Sequence, residues 1–195
     1  MADFAFLATE LSLNKRTKII VGGLVVLVVL GIATFFFLRY QIRKSFPQTS
    51  GTISLSGLEQ PVQVIRDEYG SPRIEASNEH DLLMALGYVH AQDRLWQMDM
   101  GRRVGGGRLS ELFGEVTLPF DKMFRIVGIR DIAERVEKNI TQESRDRLQW
   151  YADGVNAFIS SHKGKYPIEF DMLGYDPELW QPVHSIMITR LMAWE

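Results

Sequence analysis

The longest pattern in the chain is an absence of polar positions: Ile19 to Leu38 reads IIVGGLVVLVVLGIATFFFL, apolar and uncharged throughout. At about 1.5 Å per residue, a helix of about 20 residues spans the roughly 30 Å hydrocarbon core of a bilayer. Core helices are seldom apolar on every side for that length, so the run is expected to be a transmembrane helix. A signal-peptide h-region is shorter, about 7–15 residues, and ends at a small-residue cleavage site. This run instead leaves through Phe35-Phe36-Phe37-Leu38-Arg39-Tyr40, which favours a retained anchor. Residues 1–18 read as a cytoplasmic leader, 19–38 as the span, and 39–50, polar with one proline, as a tether.

From Gly51 the pattern changes to period two. Thr52-Ile53-Ser54-Leu55-Ser56 alternates, Val62-Gln63-Val64-Ile65-Arg66 follows, and Asp67-Glu68-Tyr69-Gly70 is a turn signal before Pro72-Arg73-Ile74-Glu75-Ala76. Two or three short antiparallel strands are expected. Ser77 and Asn78 are N-cap residues, and Glu79 and Asp81 fall in a first turn, where the helix dipole favours acids. A long helix from Glu79 to about Val104 then carries Leu82, Leu86, Val89, Asp93, Trp96, Met100 and Arg103 at three- and four-residue steps. Arg108 to Phe113 reads as a further helical turn or two, Leu118 to Lys138 as one helix, and Gln142 to His162 as another, capped by Thr141. Tyr166 to Pro182 is loop-rich, and a last helix begins near Val183. That helix stops at Glu195 without a capping glycine or a polar tail, so the chain reads as truncated. The fold class is α+β and mainly helical.

Charge divides the same way. Up to Ser45, six basic residues stand against two acidic ones, leaving the remainder with a net charge of −6. A part so acidic repels phosphate backbones, and nucleic acid is excluded as a general partner. With three basic residues on each flank of the span, the positive-inside rule does not choose an orientation. A single N-terminal anchor behind a short leader would leave the long C-terminal part periplasmic or extracellular.

Chemistry is sparse. The chain has no cysteine, which removes disulfides, thiolate zinc sites and thiol nucleophiles. No G-x-S-x-G elbow or H-E-x-x-H motif is present, and no serine has a histidine at a spacing that suggests a base. His80 and His90 point to different faces of one helix and cannot share a metal. His90 and Asp93 share a face, but two ligands make a poor zinc site, and a surface or packed pair is the ordinary reading. Asp93 on an apolar stripe is either a metal ligand or catalytic acid, or a salt-bridged core carboxylate; the wealth of arginine favours the second. Gly105-Gly106-Gly107 lacks the lysine and the preceding strand of a phosphate loop, and close backbone packing is the expected use.

The run from Val62 to Glu115 carries Arg66-Asp67 with Gly70 and Pro72, then Ala76, Asn78, His80 and Asp81. GYVHAQDRLWQMD follows, then Gly107-Arg108 with Glu111 and Gly114. Tyr151-Ala152-Asp153-Gly154-Val155-Asn156-Ala157, Pro167-Ile168-Glu169-Phe170 and Trp180-Gln181-Pro182 come later. In these motifs the stretch 51–195 resembles the N-terminal, α-chain part of the penicillin acylase (penicillin amidase) family of N-terminal nucleophile hydrolases. The resemblance implies an αββα fold of which this chain is the helical α-chain portion. It also implies a precursor that cuts itself into α and β chains. A serine exposed at the start of the β chain then attacks a linear amide, and its own α-amino group, with a pKa of about 8, acts as base.

On that basis the nucleophile and oxyanion hole belong to a β chain of the same precursor, and no catalytic residue lies in this chain. Met192 falls where the family places a methionine lining the acyl-binding pocket; core packing is its other reading. No cofactor is implied in this chain. A structural calcium of the complete enzyme would take its acidic ligand from beyond Glu195. One departure is His184, where many relatives carry an acid; it removes a dipole-favoured carboxylate and leaves the capping of the last helix open. The expected partners are the β chain, a lipid bilayer and a small N-acyl amide. The alternative is a non-catalytic, membrane-anchored helical binding module or remnant.

Overall fold

The structure is a computed structural model that describes residues 14–193. The expected leader up to residue 13 and the end of the last helix, Trp194 and Glu195, lie outside the described residues. The chain divides into two units, residues 1–43 and 44–195.

The first unit is one helix, α1 (Lys15–Arg43). Its stretch Ile19–Arg43 has a mean hydropathy of 2.9, and none of that stretch is buried. By length and composition it is able to cross a membrane, as a signal sequence near an N-terminus also would be. The helix continues through Arg43, so the stretch read as a tether from Arg39 begins as helix.

The second unit opens with a hairpin of two strands, β1 (Gln63–Arg66) and β2 (Pro72–Glu75), paired antiparallel with Gln63 opposite Glu75 and Arg66 opposite Pro72. Asp67 closes the turn: its Oδ1 accepts from the N–H groups of Tyr69 (2.9 Å) and Ser71 (2.8 Å). The third strand allowed at Thr52–Ser56 does not form. Only Leu55 of that segment packs on the core, and no neighbouring strand offers a ladder.

Helix α2 (Glu79–Gly105) starts where expected, with Asn78 Oδ1 accepting from Asp81 N–H at 2.7 Å. It is kinked at Arg94, whose φ of −141° is not helical. The buried face runs through Asp81, Ala85, Tyr88 and Gln92 and keeps its phase past the kink, so the stripe read through Leu82 and Asp93 lies beside it from the start. The buried positions of α2 beyond Arg94 are Leu95, Met98, Asp99, Arg102, Arg103 and Gly105. After α3 (Ser110–Phe113) and a 3₁₀ turn (Gly114–Thr117), the single helix expected over Leu118–Lys138 is two: α4 (Leu118–Val127) and α5 (Ile129–Asn139). Gly128 sits between them at φ +74°, a left-handed cap that a glycine adopts without strain.

Helix α6 (Gln142–Ser161) begins on Thr141, whose side chain accepts from Ser144 N–H at 3.2 Å. The loop-rich stretch contains α7 (Ile168–Leu173), held because Phe170 is buried, and the last helix is α8 (Pro182–Met192).

The core forms where α2 crosses α6. A Cβ on Gly87 would lie 2.1 Å from the Tyr151 carbonyl oxygen, and one on Gly154 would lie 1.9 Å from that of Met84. The two backbones therefore touch, and Tyr88, Leu95, Val155, Phe158, Phe170 and Trp180 close around the crossing. A second cluster joins α8 to α5 through Val183, Ile186, Met187 and Ala133.

Candidate functional site

The residue expected to touch substrate, Met192, ends α8. The buried side of that helix is Val183, Ile186 and Met187, while Met192 is 70% exposed.

Histidines and carboxylates singled out in the sequence do not converge. Asp93 receives both guanidinium nitrogens of Arg66 at 2.9 Å, and Arg66 also donates to Gln92 Oε1 (3.0 Å) and the Gly70 carbonyl (2.9 Å). The carboxylate is thus a strut between the hairpin and α2, the paired reading rather than the ligand one. His90 Nδ1 lies 3.0 Å from Tyr151 Oη across the α2–α6 crossing, and burial pushes the imidazole below its ordinary value. Ser161 and His162 are neighbours at 2.9 Å, but Ser161 Oγ donates to the Ala157 carbonyl at 2.7 Å. His162 Nδ1 lies 3.1 Å from the Phe158 carbonyl, a bond that only a protonated Nδ1 makes, so this imidazole is no base for that hydroxyl. Among the described residues no group of three or more His, Asp or Glu side chains could hold a metal.

The chain's buried charges lie elsewhere, at the C-terminal end of α2. Asp99, 1% exposed, takes Arg102 on Oδ1, and Arg103 Nε (2.8 Å) with the Tyr175 hydroxyl (2.6 Å) on Oδ2. Arg102 reaches on to the carbonyls of Glu178 (3.0 Å) and Leu179 (3.3 Å) and lies over the Trp180 ring. Arg103 reaches Glu111, which with Glu178 clasps Arg108. Those bonds from Arg108, outweighing burial, hold the Glu178 carboxyl at about 2. Burial and the bond to Asp99 push the Tyr175 phenol up. The network fixes the segment 175–180, and therefore the start of α8, to α2.

Two further buried carboxylates serve backbone. Asp81 accepts from the N–H groups of Glu59 (2.9 Å) and Gln60 (2.8 Å) and from Asn78 (2.9 Å), with His80 Nδ1 at 2.9 Å. Burial alone would raise it, but these bonds lower it to about 2. Asp121 likewise accepts from the N–H groups of Leu109 and Ser110, both at 2.7 Å, and ties α4 to the start of α3. Sequence reading missed Asp99 and Asp121. The signal for Asp99 was present, an acid followed by arginines three and four residues on.

His184 answers the capping question. Its Nδ1 accepts from Gln181 N–H at 3.1 Å, the role an acid would fill at this third helical position, and its ring meets the Trp180 ring edge-on at 5.2 Å. Accepting at Nδ1 requires the neutral form. Burial first, then the nearby Arg102, lowers the imidazole to about 4.

Between α2, α6 and α8 runs an apolar groove of about 610 Å³, lined by Leu83, Met98, Leu148, Tyr151, Trp180 and Ile188. Its few polar groups include the His90–Tyr151 pair and Ser185, which already accepts from Trp180 Nε1 at 3.0 Å. Such a lining suits an apolar occupant and supplies no nucleophile.

Comparison with known proteins gives these features a family. Residues 61–195 match the family model described as penicillin amidase. The chain is 42% identical over 155 residues to penicillin acylase 2 proenzyme of Pseudomonas sp. (strain SE83), covering 80% of this chain and 20% of that protein. It is 40% identical over 148 residues to acyl-homoserine lactone acylase QuiP of Pseudomonas aeruginosa, covering 76% of this chain and 18% of that one. The chain thus spans about a fifth of the length of the curated relatives it matches. A solved structure of thermostable penicillin G acylase from Alcaligenes faecalis aligns with a TM-score of 0.61 and 30% identity, over 67% of this chain and 71% of that one.

Proposed function

The chain belongs to the penicillin amidase family, and from that premise we propose that it is the membrane-anchored α-chain part of a hydrolase cleaving linear amide bonds of N-acyl substrates. In this reading the nucleophilic serine begins a second chain from the same precursor. Its hydroxyl attacks the amide carbonyl, its α-amino group takes the proton and returns it to the leaving amine, and water then releases the acyl group from the ester. Oxyanion donors of the second chain stabilise the tetrahedral intermediates. This chain contributes scaffold: the Asp99 network and α8, with Met192 presented toward the acyl group.

The observation that carries the reading is the contrast in coverage. The chain is a fifth of its curated relatives, one of them a proenzyme, yet is close in length to the solved acylase chain it aligns with. Taken alone it should turn over no substrate, since its described residues offer no nucleophile with a base. Nor do they offer carboxylates converging on a calcium, and no step here runs through one. Helix α1, long and apolar enough to span, supports anchorage with the second unit outside the cytoplasm.

The test is to tag the chain in its native cells, extract membranes with carbonate, and purify it in detergent. Expected are retention in the membrane pellet, a co-purifying polypeptide whose first residue is serine, and hydrolysis of chromogenic N-acyl anilides by the complex alone. Full hydrolysis by the isolated chain, or an inert chain without such a partner, would overturn the proposal.

A further inference from the structure

We propose that His184 is an acid-sensitive latch: its neutral imidazole caps α8, and protonation at Nδ1 releases the first turns of that helix from the fold. The geometry is specific. Nδ1 is the acceptor for Gln181 N–H at 3.1 Å, and a protonated Nδ1 would set one donor against another. The new positive charge would also stand in the first turn of a helix, where the dipole opposes it.

Its charged surroundings work in the same direction. Arg102 from α2, Arg108 from the segment after it and Arg130 from α5 all act against a charged His184, and the carboxylate Glu178 acts in its favour. Glu178 already takes both terminal nitrogens of Arg108. From α6 the group at this segment is the uncharged Asn156, which accepts from Trp180 N–H and donates to its carbonyl. Among these described groups none is left to accept the added proton.

The other long helices of the unit lack this sensitivity, since α2 and α6 are capped by the Asn78 amide and the Thr141 hydroxyl. The carboxylates Asp81 and Glu178, both at about 2, stay ionised through the range in which His184 titrates. Acid should thus loosen α8 first, freeing Val183, Ile186 and Met187 from Ala133 of α5 and with them the placement of Met192.

The test uses the full chain in detergent micelles. Amide exchange over 182–190, corrected for the intrinsic pH dependence, should lose protection by about tenfold or more between pH 7 and pH 4.5. In His184→Gln, where an amide keeps the acceptor without titrating, the loss should stay under about twofold. Parallel loss in both proteins, or full protection of the wild type at pH 4.5, would overturn the proposal. His90 and His162 are left in place in the variant and control for their own titration. Independently, nitrogen NMR of the wild-type ring should find Nε2 protonated at pH 7; a proton on Nδ1 there would sink the latch.

Discussion

Asp99 and Asp93 lie six positions apart on one helix and differ in what removing them should cost. Asp99 is enclosed with two guanidinium groups and a phenol, so Asp99→Ala takes from two buried cations the carboxylate they share and should cost about 3–5 kcal/mol. Asp93 keeps a fifth of its side chain in solvent, and Asp93→Ala should cost about 1 kcal/mol, mostly by loosening the hairpin. Urea midpoints of the two variants check this, and equal losses would mean that the Asp99 network is not the stronger fastening. The sequence pointed at Asp93 because a helix of constant phase places it on the apolar stripe. That stripe starts from Leu82, which is 38% exposed, whereas the buried face of α2 lies beside it along Asp81, Ala85, Tyr88, Gln92, Leu95 and Asp99. His184 was noticed as a departure; that an imidazole would take over the acid's hydrogen bond was visible only once Gln181 N–H stood before Nδ1.

Elements announced by local chemistry were readable: α2 from Asn78, α6 from Thr141 and the β1–β2 turn from Asp67. Those decided by contact or by a single break were less so. Residues 52–56 alternate like a strand yet have no edge to join, and α4 and α5 share an unbroken hydrophobic rhythm that Gly128 alone divides. The α2–α6 crossing was invisible because its determinants, Gly87 and Gly154, lie 67 positions apart in the chain. At that crossing a methyl group meets backbone, which cannot step aside. Gly154→Ala should therefore cost about 3 kcal/mol. Gly101→Ala meets only the end of the Ile188 side chain, at 2.7 Å, and should cost about 1 kcal/mol. Chemical denaturation of the pair checks the ranking, and a tolerant Gly154 would mean the helices separate more easily than their contact suggests.

For the whole second unit, acid should act in two stages with opposite chemistry but the same sign. His184, lowered to about 4, is stabilising in its neutral form; that contribution is complete above about 6.5 and is lost as pH falls toward 4. The lowered carboxyls of Asp81 and Glu178 stabilise when ionised, above about 4, and lose that contribution as pH falls through about 2. A plot of urea midpoint against pH should show both declines, with the upper one smaller in His184→Gln, where the lowered His90 and His162 still contribute. Family and helical class were legible over residues 51–195 from their motifs, whereas the buried charges and the groove exist only once α2, α6 and α8 are assembled. The enclosure of Asp99 with its arginines also fixes how the unit meets dissolved electrolyte. Ions at about 1 M screen within roughly 3 Å in water but do not enter a closed pair. Surface pairs such as Arg130–Glu134 and Arg147–Glu143 should fade in brine while the centre holds. A fold fastened this way keeps its shape as the salt around it rises and falls, because its strongest pairs are closed to the ions that would weaken them.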